Sequence, residues 1–161
     1  YRCEDREQII GHCTGGFTTS RFVTEPDLPE EGKKQFFRSW AERICDGIMS
    51  DRIWVAVDRQ DAVVGFMGWK TQSNWLRHLD IKVAGEGLGA VLPTGTGAYV
   101  PMLRHCILDA FADHDENGPK RPIDVAELET QALRTEVIKV WNRLGIKEVG
   151  SRRTYHHWLT H

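Results

Sequence analysis

A strand end that runs through two glycines into a helix is the stretch of this sequence best suited to bind an anion. An apolar run ends at Leu92, and Gly95 and Gly97 follow it. Residues 99–113 then have helical periodicity. A glycine-rich turn at a helix N-terminus presents unpaired backbone N–H groups and a positive dipole end, which suit a pyrophosphate. The alternative is an ordinary strand-to-helix turn, in which the glycines only supply positive φ.

The elements before this turn are predicted to be one helix and several strands. The first twenty residues hold three glycines and a Thr/Ser run, which is typical of a loop or a weak first strand. A helix is expected to start near Asp27, as its cap, and to end near Gly47. Its apolar stripe repeats every four residues and indicates a packed surface helix; the stripe consists of Phe36, Trp40, Ile44 and Ile48.

The next segments alternate as strands do. Residues 53–57 and 62–70 are rich in β-formers and flank the polar turn 58–61, which predicts an antiparallel hairpin. Residues 79–83 read as a further strand, which ends at a turn over 85–87. Residues 87–92 then read as the strand that runs into the glycine turn.

The segments after the turn predict a crossover. A helical face is expected from Val100, Leu103, Ile107, Ala110 and Phe111, with Pro101 in the first turn. A strand over 123–130 follows. A helix that connects two such strands makes them parallel neighbours, and ligands bind beyond their carboxyl ends. The glycine turn and the expected ligand crevice therefore coincide.

The C-terminal part is predicted to be a helix followed by a hairpin. The apolar positions of the helix are Leu133, Val137, Val140, Trp141 and Leu144, with Gly145 as its C-terminal cap. A closing hairpin is expected from 146–149 and 154–159.

Composition excludes several classes of protein. A chain of 161 residues is expected to form a single domain over 1–161. No apolar run approaches a membrane span, and a net charge of −2 argues against a general nucleic-acid binder. The four cysteines have no zinc-like spacing and are expected to be reduced thiols, so we expect no metal. With no signal segment at the start, the expected location is the cytoplasm. Oligomeric state is left open, a homodimer included.

The order of elements resembles the GNAT superfamily of N-acetyltransferases over about residues 21–159. Gly95 and Gly97 are similar to the glycines of that family's Gln/Arg-x-x-Gly-x-Gly/Ala acetyl-CoA signature. The segment from Trp141 to Ile146 looks like its Tyr-x-x-Leu-Gly-Phe segment. The resemblance implies an α/β (α+β) fold with a mixed, mostly antiparallel central sheet flanked by helices. It also implies a splayed parallel pair of strands at the acyl-CoA site.

A narrower resemblance is to the enzymes that acetylate nucleotide-linked deoxy-amino sugars, of the dTDP-fucosamine type. The segments that carry it are Ser20-Arg21-Phe22, Trp40 and Gly47, Val64-Gly65-Phe66, Thr130-Gln131 and Tyr155-His156-His157-Trp158. Three positions depart from the family pattern. Leu92 stands where the family signature has Gln or Arg. Arg134 stands where these enzymes have an Asn that contacts the cofactor, and Trp141 stands where many have the Tyr that protonates the leaving thiolate. An indole N–H can donate a hydrogen bond but cannot deliver a proton.

Acetyl transfer to an amine needs a pyrophosphate site, an oxyanion donor, a base and a proton for the thiolate. Backbone N–H groups over 95–99, that is Gly95, Thr96, Gly97, Ala98 and Tyr99, are expected to hold the CoA pyrophosphate. The N–H of Val91 or Leu92 is the candidate oxyanion donor. Arg134 could pair with a CoA phosphate and Trp141 stack on pantetheine, although a solvated Arg and a core Trp are the alternatives.

The candidate proton-transfer and acceptor residues are less sharply defined. Glu127 or Glu129 could act as the base, and a solvated strand face is the alternative. Tyr155 and His156 are further candidates, with a structural role the alternative for His156. An acceptor pocket is expected to include Arg21, Trp40 and His78, although burial alone explains Trp40.

The sequence therefore predicts an acetyl-CoA-dependent N-acetyltransferase acting by direct transfer in a ternary complex. The acceptor is expected to be a small-molecule amine, with nucleotide-linked amino sugars as one class. One alternative is an acyl-CoA-binding module with little or no turnover, and another is a structural domain that binds no CoA.

Overall fold

The computed structural model describes residues 1–17, 20–70, 78–112, 114–115, 118–119 and 123–155. The predictions that involve His156 and residues 156–159 of the closing hairpin lie outside these ranges. The chain divides into two compact units, Tyr1–Glu129 and Thr130–His161, and each is described by itself.

A four-stranded sheet organises the first unit. The strands in chain order are β1 (Arg52–Val57), β2 (Val63–Lys70), β3 (Val83–Val91), β4 (His114–Asp115), β5 (Gly118–Pro119) and β6 (Val125–Glu127). The main sheet has the order β1-β2-β3-β6, and β4 pairs separately with β5. The first three strands are antiparallel, whereas β3 and β6 run parallel. The predicted hairpin and the predicted parallel pair are both confirmed.

Three helices cover the two faces of this sheet. The first two, α1 (Arg6–Gly16) and α2 (Glu30–Cys45), share one core with Phe66 and Leu88 of the sheet. The third, α3 (Tyr99–Phe111), lies on the opposite face, where the His105 ring stacks on Trp54 with centroids 5.9 Å apart. Side chains alternate along a strand, so Trp54 faces α3 while its neighbours Ile53 and Val55 pack towards α1 and α2.

Residues 6–16 form helix α1, so the prediction of a loop or weak strand for the start of the chain is wrong there. Three glycines lower the intrinsic helix propensity of α1 by about 1 kcal/mol each. Burial of Ile9, Ile10 and Cys13 outweighs this loss. Gln8 Oε1 also accepts a 2.9 Å hydrogen bond from Val63 N–H, and His12 Nε2 donates to the Val63 carbonyl at 2.8 Å. Gln8 and His12, one helical turn apart, therefore hydrogen-bond both the N–H and the carbonyl of Val63, the first residue of β2.

The buried face of α2 is rotated from the predicted stripe. Its buried residues are Lys33, Phe37, Ala41 and Ile44. Phe36 and Ile48 are instead 39% and 54% exposed, so of the predicted stripe only Ile44 is fully buried. The helix begins after Pro29, and Asp27 does not cap it.

β3 is one strand from Val83 to Val91, in place of the two strands and glycine turn expected over 79–92. The register against β2 shifts by one residue between Gly68 and Trp69, so Gly87 is an extra residue on β3. Such a β-bulge bends a strand without ending it. A Cβ at Gly87 would lie 3.1 Å from the Met49 carbonyl oxygen, so the glycine permits close packing here.

Two further elements differ in detail from expectation. The buried residues of α3 are Met102, Leu103, Cys106 and Ala110. Val100 and Phe111, predicted on the buried face, are 39% and 44% exposed. β6 covers only three residues of the predicted strand over 123–130.

The second unit contains α4 (Thr135–Arg143). Gly145 has φ +80° and donates to the Asn142 carbonyl at 3.2 Å, while Ile146 N–H donates to the Trp141 carbonyl at 3.0 Å. This pair of bonds is a Schellman cap and confirms the predicted helix end. Residues 146–149 form no strand, which corrects the predicted hairpin. No helix in the described part of the chain is long and apolar enough to cross a membrane.

Asp5 ties the start of the chain to the β1–β2 hairpin. Its side chain is buried and accepts hydrogen bonds from Arg2 N–H at 2.6 Å and Arg2 Nη2 at 3.0 Å. Arg2 Nη1 reaches Asp61 in the hairpin turn at 2.9 Å. Burial by itself raises the pKa of Asp5, but the hydrogen bonds and charge of Arg2 more than offset it, so the pKa lies below its usual value.

We predict that replacing Asp5 with Asn flattens the acid limb of the stability curve. Because the folded-state pKa of Asp5 is lowered, its contribution is present above the unfolded pKa of about 3.9 and is lost as the pH falls through the folded value. Urea unfolding at a series of pH values would show a loss of about 1–3 kcal/mol for Asp5→Asn at neutral pH. The difference from the wild type would shrink towards pH 2.

The matched control is Glu4→Gln, which removes an exposed carboxylate 3.2 Å from the same arginine. Exposed pairs contribute about 0–1 kcal/mol, so this variant should follow the wild-type curve. Equal pH profiles for Asp5→Asn and the wild type would contradict the assignment.

Candidate active site

β3 loses its partner on one side where its pairing with β6 stops, and we call this unpaired side of β3 the crevice. Their parallel register runs only from Val83 with Val125 to Gly85 with Glu127. β3 continues for six more residues to Val91 and keeps β2 as its partner on the other side. The polar backbone groups of β3 that face away from β2 therefore line an open edge beyond Gly85. The carboxyl end of a parallel strand pair is where ligands bind in α/β sheets.

The turn after β3 is held against the second strand. Leu92 N–H donates to the Val64 carbonyl at 2.8 Å, and Gly95 N–H donates to the Leu92 carbonyl at 2.9 Å. Gly95 is buried, and a Cβ on it would lie 2.5 Å from the Val64 oxygen. This position therefore requires glycine because of close approach, while Gly97 has φ +93° in open space.

The two N–H groups considered as oxyanion donors are not equivalent. Leu92 has extended backbone, and its N–H is used by Val64. Successive N–H groups of extended backbone point to opposite sides, so the N–H of Val91 points away from β2. Because β3 lies between β2 and β6, Val91 N–H faces the open edge. The geometry favours Val91 over Leu92 as the donor that a ligand in the crevice would meet.

The glycine turn supplies fewer N–H groups than the sequence predicted. Gly95 N–H is bonded to Leu92, and Ala98 N–H donates to the Gly95 carbonyl at 2.9 Å. Thr96, Gly97 and Val100 have N–H groups with no acceptor in the described part of the chain. Fewer N–H groups of the turn are thus available than the five-residue pyrophosphate cradle predicted from the sequence would use, and anion binding there stays a prediction.

The two candidate bases lie at and just beyond the end of β6. Glu127 is the last residue of β6 that pairs with β3, and it is exposed. Its carboxylate forms no hydrogen bond or ion pair with any described residue. Glu129 is also exposed and follows the strand. Glu127 is thus the carboxylate that the sheet holds at the opening of the crevice.

Arg21 and Trp40 line the same pocket, of about 600 Å³, between the segment before α2 and α2 itself. Phe22, Phe36, Arg43 and Met49 also line it, and sequence reasoning assigned none of them to a site. His78 is exposed and is not one of the lining residues. The lining positions of α2 include 32, 36, 39 and 43, which repeat with helical spacing. This spacing marks a second face of α2 beside its buried face, and it could have been read from the sequence.

The candidate residues of the second unit have local roles there. Arg134 is the residue at the N-cap of α4, and its Nη1 lies 3.6 Å from Glu136 Oε1. Trp141 is 9% exposed, in agreement with a core residue, and Tyr155 is 82% exposed. Their predicted functions stay predictions. Within the described ranges no group of His, Cys, Asp or Glu side chains could hold a metal ion.

We predict that Gly95→Ala destabilises the protein, since the added methyl group must displace either the turn or β2. Overpacking of this kind typically costs about 1–3 kcal/mol, so the melting temperature should fall by several degrees. Gly11→Ala is the matched control, because no atom lies within 4 Å of a Cβ there and the residue is inside α1. The control should be about 0.5–1 kcal/mol more stable than the wild type. An unchanged melting temperature in Gly95→Ala would contradict the close approach.

Comparisons with known proteins agree with this architecture. No family model and no curated protein matches the sequence. Among solved structures, a candidate acetyl transferase from Pyrococcus furiosus matches with a TM-score of 0.71 and 14% identity, over 96% of this chain and 95% of that one. A ribosomal-protein-alanine N-acetyltransferase from Brucella melitensis matches with a TM-score of 0.60 and 12% identity, over 98% and 96%.

A third match is AAC(6′)-Iy in complex with the bisubstrate analogue CoA-S-monomethyl-acetylneamine. It has a TM-score of 0.53 and 14% identity over 98% of this chain and 94% of that one. These identities establish similarity of fold alone. The mixed sheet, its flanking helices and its short parallel pair match the fold of these acetyltransferases, the GNAT fold.

Proposed function

We propose that this protein is an acetyl-CoA-dependent N-acetyltransferase. The observation that carries the proposal is the crevice between β3 and β6, with Val91 N–H on its open edge and the N-terminus of α3 beyond it. An extended ligand with a thioester at one end and a pyrophosphate further along matches the order of these groups. Acetyl-CoA is such a ligand, and it would supply the acetyl group as a thioester.

The residues of the crevice support direct transfer from thioester to amine. Glu127 takes a proton from the acceptor ammonium, directly or through water, and the free amine attacks the thioester carbonyl carbon. Val91 N–H donates a hydrogen bond to the oxyanion that forms. Such a hydrogen bond stabilises the transition state most where water is excluded from the site. The carbon–sulfur bond then breaks, and the thiolate takes a proton from solvent. The products are the acetylated amine and a free thiol.

Two cysteines are poorly suited to carry the acetyl group as a covalent intermediate. Burial, with a smaller contribution from Cys45, raises the pKa of Cys13 to about 12, and burial also raises the pKa of Cys45. The thiolate is the nucleophilic form of cysteine, and a raised pKa makes it scarce at neutral pH. The raised pKa values argue against these two thiols only. A ternary complex is part of the proposal, and initial-rate kinetics with both substrates varied should give intersecting lines in double-reciprocal plots.

We predict that Val91→Pro lowers kcat about 10²-fold, as expected for removal of an oxyanion donor, and changes the melting temperature little. Proline removes an N–H that does not belong to the β2 ladder. Leu92→Pro is the control, because it removes the 2.8 Å bond to Val64 and should lower the melting temperature. A Val91→Pro enzyme that folds and turns over at the wild-type rate would exclude this donor. The readout is thiol release from acetyl-CoA with an amine panel.

We predict that Glu127→Gln lowers kcat by about 10²-fold to 10⁴-fold, the usual contribution of a general base. Glu129→Gln is the matched control, being a carboxylate of the same length two residues further on, and should change kcat less than twofold. A pH–rate profile of each variant would separate the two, since only loss of the base removes the acidic limb. The reverse order of effects would assign the base to Glu129.

The second candidate function, an acyl-CoA-binding module without turnover, is favoured by the burial of Trp141 where the family pattern has a proton-donating Tyr. Acetyl-CoA should then raise the melting temperature in a saturable way with no thiol release. If acetyl-CoA neither binds nor is turned over, only the structural role remains. Acceptor identity within the small-molecule amines, amino sugars included, is part of the proposal and is tested by the same panel.

A further inference from the structure

The pocket beside α2 carries positive charge and aromatic surface together. Arg21 and Arg43 line it, and no lining residue in the described part of the chain is a carboxylate. Two guanidinium groups in one concave surface attract an anion, and each can form paired hydrogen bonds to a carboxylate or phosphate.

The aromatic wall is built from Phe22, Phe36 and Trp40. The Phe22 and Phe36 ring centroids are 4.3 Å apart, and Phe36 meets Trp40 edge-on at 5.6 Å. Arg21 Cζ lies 4.7 Å from the Phe22 ring centroid. This contact places the guanidinium against the aromatic wall.

The exposure of Phe36 separates this wall from the core. At 39% exposure it leaves apolar surface in contact with water, whereas its neighbour Phe37 is 3% exposed. A half-exposed aromatic wall with cations beside it provides contacts for a ring or apolar body and for a negative group.

The pocket lies next to the strand that forms the crevice. Met49 lines the pocket, and its carbonyl oxygen would be 3.1 Å from a Cβ at Gly87 in β3. Gly87 is two residues beyond Gly85, where the pairing with β6 ends. Met49 therefore connects the lining of the pocket with the stretch of β3 that has no β6 partner.

We propose that this pocket is the acceptor site and that it selects amines which carry a carboxylate or phosphate on an aromatic or apolar body. Arg21 and Arg43 bind the anionic group, and the wall of Phe22, Phe36 and Trp40 packs against the body. The placement of the amine towards the crevice rests on the proposed function. Binding of the anionic group depends only on the residues that line the pocket.

The test measures binding before activity, with three probes that differ in one group. Benzylamine is neutral apart from its ammonium, 3-(aminomethyl)benzoate adds a carboxylate, and 3-(aminomethyl)phenyl phosphate adds a phosphate. Calorimetric titration should show that at least one anionic probe binds at least tenfold more tightly than benzylamine. Arg21→Gln and Arg43→Gln should each lower the affinity of that probe about tenfold to a hundredfold and leave benzylamine unchanged. The probe that responds more strongly identifies carboxylate or phosphate as the preferred group.

Arg38→Gln is the matched control. Arg38 is on the same helix, its Nε lies 3.0 Å from Glu42 Oε1, and it does not line the pocket. The control should bind all probes as the wild type does, and the melting temperatures of all variants should agree, because Arg21 and Arg43 are exposed.

The outcomes separate the two proposals. Anionic probes that bind no better than benzylamine, or an Arg21→Gln/Arg43→Gln double variant with unchanged affinity, would overturn the anion site. Transfer to all three probes with equal kcat/KM would preserve the acetyltransferase and also overturn the anion site. Arginine-dependent binding without transfer would support the anion site and count against the enzyme.

Discussion

The contact between Gly95 and the Val64 carbonyl is the constraint on which the candidate site depends. Because no side chain separates them, the turn after β3 lies directly on the start of β2, where Leu92 N–H adds a further hydrogen bond to the same carbonyl. β3 is thereby held to β2 up to its last residue. The backbone that faces the other way, at Val91, has no β6 partner because that pairing ends at Gly85. A short parallel pair and a tight turn together leave this side of β3 unpaired.

The other face of the sheet shows how one helix can serve the core and a binding surface. Phe37, Ala41 and Ile44 of α2 are buried, while Phe36 and Trp40 lie one position away around the helix and line the pocket. Ring contacts tie the two sets together, since Phe37 stacks on Phe17 with centroids 4.7 Å apart and meets Phe36 at 5.2 Å. Packing of the buried set therefore supports the position of the exposed set from behind.

Features that depend on local chemistry were predictable from the sequence. The β1–β2 hairpin follows from two β-rich runs around a polar turn, and the end of α4 follows from Gly145, whose positive φ suits a glycine. The strand–turn–helix order around Gly95 predicted the parallel neighbour of β3, because a helical crossover leaves few other topologies. Arg21 and Trp40, which the sequence predicts for an acceptor pocket, line one pocket, and their role in acceptor binding is a proposal.

Features that depend on distant partners were decided only by the tertiary structure. α1 is helical despite its glycines because Ile9, Ile10 and Cys13 find a core contributed by α2 and the sheet. β3 passes through Gly85 and Gly87 because β2 supplies ladder partners on either side of the bulge, which a local turn signal cannot reveal. Likewise, the sequence alone determined that an N–H near Val91 or Leu92 could face a ligand. The choice of Val91 required the tertiary structure, because the Leu92 N–H donates to the Val64 carbonyl of the neighbouring strand. Successive N–H groups of a strand point to opposite sides, so the Val91 N–H points away from β2.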